Sequence, residues 1–188
     1  DNQIGFNPKF IPPKIQFKEQ CGDGIDNDRD GLIDEIPELE QWANLSNCDL
    51  SGVDFSGEVL TGADFTNADL SGADLTRSDF SGSSMYGANL EGANLFKANF
   101  EGANLKSANM KNSDMLGADF TNTKLNNIDW GVDSKVINEI DAEKALHAGN
   151  HEKALEKYKE AEDIYRALKM SMQAQTLGED VGTVFTRE

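Results

Sequence analysis

Residues 63–82 read ADFTNADLSGADLTRSDFSG, and this pattern of five residues repeats without an insertion over residues 43–132 of the 188-residue chain. Most repeats hold a small residue, then Asp or Asn, then a large apolar residue and two residues of a turn. A period of five matches neither an α-helix nor a long β-strand. The segment is therefore predicted to form a repeat structure of another kind.

The side-chain pattern defines what each repeat does. The large apolar residue recurs eighteen times in one register, and the residue two positions earlier is Ala in ten repeats and Ser in three. Residues two apart in an extended segment point the same way, so these two face inwards and the Asp or Asn between them faces outwards. Gly or Asn stands two positions after the large residue in fourteen repeats, where a corner with positive φ is expected.

The number of repeats per coil follows from the phenylalanines. Phe80, Phe100 and Phe120 are twenty residues apart, which predicts one column of side chains and four repeats per coil. Sequences such as ADLSG at residues 68–72 and ANLEG at residues 88–92 resemble the pentapeptide-repeat family. The resemblance implies an all-β, right-handed quadrilateral β-helix. Eighteen repeats then give about 4.5 coils and roughly 22 Å of solenoid.

Two places depart from the repeat, and the second is Ser83-Ser84-Met85, which is expected to weaken the next coil on another face. At the first, Glu58 and Val59 stand where other repeats have a small residue and Asp or Asn. That corner is either distorted or covered by another segment, or the change is sequence drift. The end coils also expose unpaired backbone groups, so each end needs a cap or a partner.

An acidic cluster lies before the repeats. Residues 23–35 read DGIDNDRDGLIDE, with six acids and one Arg. Alternate carboxylates that curl round one cation, with Gly at the turn and a backbone carbonyl after it, are typical of a calcium loop. Pro37 holds the position of the usual final Glu, so Glu35 or Glu38 is expected to replace it; a metal-free acidic loop is the alternative. The predicted Ca²⁺ ligands are Asp26, Asp28, Asp30, the carbonyl of Leu32, Asp34 and Glu38.

The same stretch resembles Asp-rich calcium modules of secreted proteins, such as thrombospondin type 3 repeats. The resemblance implies a structural ion in an oxidising, calcium-rich compartment. In that setting Cys21, at the edge of the loop, and Cys48, at an inward position of an early repeat, are predicted to form a disulfide. The alternative is that Cys48 is a buried small residue in place of Ala.

The N-terminal residues read as an extended arm. Residues 1–20 contain three of the four prolines, and residues 15–18 alternate between apolar and polar like a strand. Such an arm either lies along its own solenoid or adds to a neighbouring subunit.

The C-terminal residues have a helical pattern. Ala154, Tyr158, Ala161, Tyr165 and Leu168 form one apolar stripe. Residues 148–162 resemble the second half of a tetratricopeptide repeat, with Gly149 at the turn. A helical hairpin that caps the last coil is expected; the alternative is a docking site for a partner. The predicted segments are an arm (1–20), a calcium-binding cap (21–42), the β-helix (43–132) and a helical segment (133–188).

Composition restricts the function. The net charge is −17 and no basic patch occurs, so direct binding to nucleic acid is not expected. No apolar run approaches the roughly 18–20 residues of a membrane span. His147 and His151 are four apart, but Gly149 interrupts their helix, so they are not predicted to bind a metal. No nucleophile–base–acid set appears, and an enzyme is not expected.

These features favour a secreted, calcium-stabilised structural or adhesive protein, outside the cell or on its surface. Its partners would be other copies of itself, in a filament or surface layer, or another surface protein. The alternatives are an interaction scaffold and, as the pentapeptide-repeat resemblance implies, a DNA-mimicking rod that inhibits gyrase. A calcium loop of ordinary extracellular affinity argues against a cytosolic gyrase inhibitor.

Overall fold

The central segment is a solenoid. The computed structural model describes residues 43–131 and 134–174. Fourteen β-bridges join described residues, from Asn44–Asp64 to Asn109–Asp129, and each is parallel and links residues twenty positions apart. Four repeats therefore make one coil, as the spacing of the phenylalanines predicts. Each bridge is isolated, so a face contributes one bridging residue per coil and no longer strand.

Backbone hydrogen bonds hold neighbouring coils together. The N–H of Phe80 donates to the carbonyl of Asn99 at 2.8 Å, and the N–H of Asn99 donates to the carbonyl of Ser78 at 2.9 Å. At the corner the N–H of Gly82 donates to the carbonyl of Glu101 at 2.8 Å. The same three bonds recur along the solenoid, so most backbone polar groups are paired within the fold.

The corners require a left-handed backbone conformation. The residue two positions after each large apolar residue has φ between 56° and 75° along residues 47–127. Gly and Asn tolerate this conformation, which explains their frequency there. Arg77, Lys97 and Ser107 adopt it as well, at a cost of about 1 kcal/mol or more each. The coil geometry therefore overrides local preference at these three corners.

The corner at Glu58 and Val59 keeps the regular backbone. Val59 forms its bridge to Asp79, and the N–H of Leu60 donates to the carbonyl of Asp79 at 2.8 Å. Both side chains are exposed, and Val59 is 52% exposed. The backbone of this corner is regular and no described segment covers it, which agrees with sequence drift.

The interior is filled by the small and large residues of the repeats. Their side chains are almost all buried and form one continuous core. Phe80, Phe100 and Phe120 stack in a column with ring centroids 5.5 Å apart and interplanar angles of 8° and 4°. The predicted column is therefore present, and aromatic stacking adds to the burial of apolar area.

Two helices follow the solenoid, α1 (Ile137–His147) and α2 (His151–Ala174). The side chain of Asn150 accepts a hydrogen bond from the N–H of Lys153 at 3.1 Å and so caps the start of α2. The two helices pack against each other, which confirms the predicted helical pair. Neither of these described helices is long and apolar enough to cross a bilayer.

Helix α2 covers the end of the solenoid. Ala161, Ile164, Leu168 and Met172 belong to the same buried core as the repeats, and the hydroxyl of Ser171 donates to the carbonyl of Phe120. This arrangement agrees with the predicted cap. The predicted stripe is wrong at one position, because Tyr158 is 39% exposed. The core-facing stripe instead continues through Ile164 and Met172 towards the C-terminal end of α2.

Candidate functional site

The outward Asp and Asn side chains stabilise the corners. Oδ1 of Asp49 accepts hydrogen bonds from the hydroxyl of Ser51 at 2.7 Å and from its backbone N–H at 3.1 Å. Both bonds lower the pKa of the Asp49 carboxyl below its ordinary value, and the bond from the Ser51 hydroxyl has the larger effect. The bond to the backbone N–H two residues later recurs along the solenoid. The turns therefore explain much of the abundance of Asp and Asn at this position.

Asn side chains also form ladders between coils. The amide of Asn89 donates to the carboxylate of Asp69 at 2.9 Å, and the amide of Asn109 donates to the side-chain carbonyl of Asn89 at 2.9 Å. Asn99 donates in the same way to Asp79 at 3.0 Å. An amide beneath a carboxylate replaces a like-charge contact with an attractive one.

Charge is divided unequally among the four faces. We number the faces by their first repeat, 43–47, 48–52, 53–57 and 58–62, and each continues at intervals of twenty residues. The first face holds one acid and two bases. The second face holds four acids and one base, and the third holds three acids and two bases. The fourth face holds four acids and no base. Its acids are Glu58, Asp79, Glu101 and Asp119.

The second face carries an ion pair whose contribution to stability is expected to depend on pH. Nζ of Lys111 lies 2.7 Å from Oδ2 of Asp129. The hydrogen bond from Lys111, and after it the N–H of Gly131, lowers the pKa of Asp129, and the bond to Asp129 raises the pKa of Lys111. The pair therefore stabilises the fold above the ordinary Asp pKa and below the ordinary Lys pKa. Its contribution is lost as pH falls through the lowered pKa or rises through the raised one.

An NMR titration of the Asp129 carboxyl carbon checks this prediction. We expect a midpoint below the ordinary Asp value of 3.8, and an upward shift in the Lys111→Met variant. Lys106→Met, which removes a lysine of the first face, is the matched control and should leave the midpoint in place. An unchanged midpoint in Lys111→Met would contradict the assigned cause.

A groove runs between α2 and the last coil, and we call it the C-terminal groove. It comprises two adjoining hollows of about 320 Å³ and 500 Å³. Gly117, Ala118, Phe120 and Ala167 line both hollows. Apolar and small side chains dominate the lining, which suits an apolar ligand group more than a reacting substrate. Asp119, Asp163, Lys97 and Met170 each line one of the two hollows.

No further coil within the described residues pairs with the backbone of the last coil. In the preceding coil, the N–H groups of Phe100 and Gly102 donate to the carbonyls of the next coil at 2.8 Å and 2.9 Å. The equivalent N–H groups of Phe120 and Asn122 have no backbone acceptor within the described part of the chain, and neither do those of Met115 and Gly117. Of these residues, Met115 and Phe120 are each 2% exposed, because α2 covers this end of the solenoid.

The groove is not predicted by the sequence pattern. Ala167 and Met170 lie three residues apart on α2, outside the predicted stripe, and Met170 is 66% exposed. A second apolar line on α2 was the only available indication. Its meaning depends on how α2 lies across the last coil, and a sequence pattern does not specify that placement.

The predicted calcium site lies outside the described residues, and this holds for all its ligands: Asp26, Asp28, Asp30, Leu32, Asp34 and Glu38. Cys48 is buried and is not a free thiol, while its predicted partner Cys21 lies outside the described residues, so the pairing stays a prediction. Among residues 43–131 and 134–174 no group of three or more His, Cys, Asp or Glu could hold a metal ion. One ring nitrogen of His147, Nδ1, forms a hydrogen bond with the backbone carbonyl oxygen of Glu143 at 2.7 Å.

Comparison with protein families identifies the repeats. The model of pentapeptide repeats matches in 8 copies, over residues 43–82, 59–95 and 88–127. This confirms the predicted pentapeptide repeats in the central segment. Comparison with curated proteins gave no match.

Solved structures with similar repeats include a pentapeptide repeat protein (Rfr23) from the cyanobacterium Cyanothece, 39% identical over 47% of this chain, with a TM-score of 0.38. A pentapeptide repeat protein of the Arabidopsis thaliana thylakoid lumen is 33% identical over 45% of this chain, with a TM-score of 0.34. QnrB1, a plasmid-mediated fluoroquinolone resistance protein, is 20% identical, with a TM-score of 0.20. The match covers 46% of this chain and 72% of the QnrB1 chain. This chain spans 56% of the length of the Cyanothece protein and 62% of the Arabidopsis protein.

Proposed function

We propose that this chain is a non-enzymatic structural protein, a rigid acidic rod that acts by binding other proteins, further copies of itself included. The observation that carries the proposal is the arrangement of the solenoid surface. Its outward carboxylates and amides are engaged in turns and ladders, and its faces differ in charge. Such a surface offers regular, extended contact areas, which suits association rather than catalysis.

The charge difference between faces supports association between copies. The first face has two bases and one acid, whereas the fourth has four acids and no base. Complementary faces raise the rate of encounter and select an orientation, while contact between two acidic faces is unfavourable. Partners with basic surfaces are therefore favoured on the fourth face. Such a preference is expected both of a self-associating rod and of a scaffold for other proteins.

Light scattering after gel filtration tests this proposal on the full chain. A self-associating rod gives species larger than the 20.6 kDa monomer, and their mass increases with protein concentration. A constant mass of 20.6 kDa up to millimolar concentration would overturn self-association and leave a scaffold for other proteins. The measurement is made with calcium and with a chelator, because the proposed ion lies in the segment before the first coil.

We further propose that residues 21–42 bind one Ca²⁺ and that the ion stabilises the start of the solenoid. Support comes from the alternate carboxylates at Asp26, Asp28 and Asp30, since hard cations prefer such oxygen ligands. We expect calorimetric titration to give one site per chain. Asp28→Asn should weaken binding on the order of tenfold, or about 1.4 kcal/mol. Asp79→Asn removes the same charge from the fourth face and should have no effect; equal effects of the two variants would contradict a specific site.

A DNA-mimicking rod that inhibits gyrase is the second candidate function. The observation that favours it is the fourth face, where acids are not interrupted by a base. Inhibition of gyrase supercoiling that persists in chelator, and that is lost when Asp79, Glu101 and Asp119 are changed to their amides, would support this function. The same three changes at Asp49, Asp69 and Glu91 of the second face are the matched control. An assay without inhibition would exclude it.

A further inference from the structure

We propose that two copies of this chain pair through the outward side of helix α2, which lies antiparallel to the same helix of the second copy. The contact centres on a stripe of four exposed residues, His151, Leu155, Tyr158 and Glu162, which we call the α2 stripe. The proposal rests on the self-association proposed above and names its surface. A contact that uses the same surface on both copies closes at two copies.

The α2 stripe lies on a side of the helix that the solenoid does not use. Its members follow one another at intervals of four, three and four residues, so they share one side of an α-helix. Ile164 and Leu168, which α2 buries against the repeats, lie on another side. Leu155 is 73% exposed and Tyr158 is 39% exposed. The packing of α2 within the described part of the chain therefore leaves two neighbouring large apolar side chains in contact with solvent.

Helix α1 adds a third apolar side chain beside this stripe. The hydroxyl of Tyr165 donates to the carboxylate of Glu139 at 2.6 Å, which aligns the two helices of the hairpin. Leu146 lies seven residues after Glu139 on α1, and Tyr158 lies seven residues before Tyr165 on α2. Seven residues are about two helical turns, so Leu146 and Tyr158 lie level on the same side of the hairpin. Leu146 is 45% exposed and enlarges the apolar patch.

The spacing of the α2 stripe is the same in both directions along the helix. The midpoint between Leu155 and Tyr158 is also the midpoint between His151 and Glu162. A second α2 that lies antiparallel about a two-fold axis at this midpoint therefore brings Leu155 onto Tyr158 twice. It also brings His151 onto Glu162 twice. Such a self-complementary patch is what a two-fold dimer requires.

The polar residues at the two ends of the stripe are complementary in this arrangement. The ring of His151 is exposed and has no hydrogen-bond partner in the described segments, and an imidazole has an N–H to donate. The carboxylate of Glu162 accepts one bond from Arg166 at 2.7 Å, and its side chain is 70% exposed. A carboxylate accepts several bonds, so Glu162 retains capacity for a second donor.

The flank of the stripe favours the antiparallel orientation as well. Glu152 and Lys159 are both exposed, and their midpoint lies within one residue of the midpoint of the stripe. An antiparallel copy therefore brings Glu152 of each chain near Lys159 of the other, and opposite charges meet. A parallel copy would instead place Glu162 against Glu162 and Glu152 against Glu152, which is unfavourable.

The size of the patch sets the expected affinity. Three apolar side chains from each copy make a small interface, so the dimer should be weak, with a Kd on the order of 10 µM. The solenoid faces lie outside this contact and stay available to other partners.

Sedimentation of the full chain at increasing concentration tests the apolar contact. The wild-type mass should rise from 20.6 kDa to twice 20.6 kDa. Leu155→Glu places a carboxylate in each apolar contact and should weaken association at least tenfold. Met170→Glu is the matched control, because Met170 is 66% exposed on α2 and lies outside the stripe. The control should sediment like wild type, and far-UV circular dichroism should show that both variants keep their helices.

A charge exchange tests the antiparallel register. His151→Glu brings two carboxylates together at each end of the stripe and should weaken the dimer several-fold. The double variant His151→Glu, Glu162→Lys restores opposite charges there and should return the wild-type dissociation constant to within about twofold. The double variant His151→Glu, Glu156→Lys is the matched control. It has the same net charge, but Glu156 lies off the stripe, so the dimer should stay weak.

Three outcomes would overturn the proposal. Association of wild-type strength in Leu155→Glu means that copies meet through another surface, which leaves the proposed function intact. Equal restoration by Glu156→Lys and Glu162→Lys means that net charge controls association and the antiparallel register does not. A wild-type mass that stays at 20.6 kDa up to millimolar concentration removes both the α2 contact and self-association.

Discussion

Phe100→Ala is expected to lower the free energy of unfolding by about 3–5 kcal/mol. Phe100 is fully buried between Phe80 and Phe120, with a ring 5.5 Å away on each side. The column sits in a core whose backbone is fixed by bonds to the coils before and after it. The surrounding coils cannot collapse into the cavity, so both the apolar contacts and the two stacking partners are lost.

Urea unfolding of the full chain measures the effect, with far-UV circular dichroism and tryptophan fluorescence as two probes. Phe96→Ala is the matched control, because Phe96 lies at a corner and is only partly buried. Nζ of Lys97 lies 5.0 Å from the centroid of its ring. The control should lose about 1 kcal/mol or less. A similar loss in the two variants would show that the stacked column has no special weight. Divergence of the two probes would indicate that coils unfold separately.

Leu168→Ala is expected to lower the free energy of unfolding by about 2–5 kcal/mol and to loosen α2 from the solenoid. Leu168 is 1% exposed and shares one core with Ile164 and Met172 and with the repeats. Since α2 buries Ile164, Leu168 and Met172 against the last coil, loss of this contact also uncovers the end of that coil. Exposed coil edges are templates for unwanted pairing, so the variant should aggregate on heating.

Thermal unfolding and light scattering on the same samples check this prediction. Lys169→Ala, one residue further along α2, changes an exposed side chain and should stay within about 0.5 kcal/mol of wild type. If Leu168→Ala were as stable and as soluble as Lys169→Ala, α2 would not be a cap that the solenoid requires. Hydrogen exchange of the Phe120 region then distinguishes a loosened helix from a displaced one.

The solenoid could be predicted from sequence because one simple rule repeats. The position of each Leu or Phe fixes which residues turn inwards, and Gly or Asn at the corner fixes where the chain turns. Phe80, Phe100 and Phe120 even predict the number of repeats per coil. Arg77 and Lys97 at corner positions would mislead a residue-by-residue reading, but the coils on either side hold them in place.

The cap was predictable in kind and not in detail. The helical periodicity of residues 151–174 predicts α2, and it also identifies Ala161 and Leu168 as buried. Tyr158 fits the same period but is exposed, because α2 meets the core through Ala161 and the residues that follow it. The groove beside Ala167 arises from the angle and distance of two packed elements, and these depend on contacts that no local pattern contains.

Bridged positions are twenty residues apart, so the number of residues in the solenoid determines how far the chain has turned about the solenoid axis. A deletion of twenty residues within the solenoid removes one coil and leaves every later residue on its own face. A deletion of five residues preserves the repeat as well, but it turns everything downstream by a quarter of a revolution about the axis. Helix α2, its groove and the charged faces then point in new directions relative to the first coil. Evolution of such a rod can therefore change the direction in which its ends bind without altering a single side chain of the core.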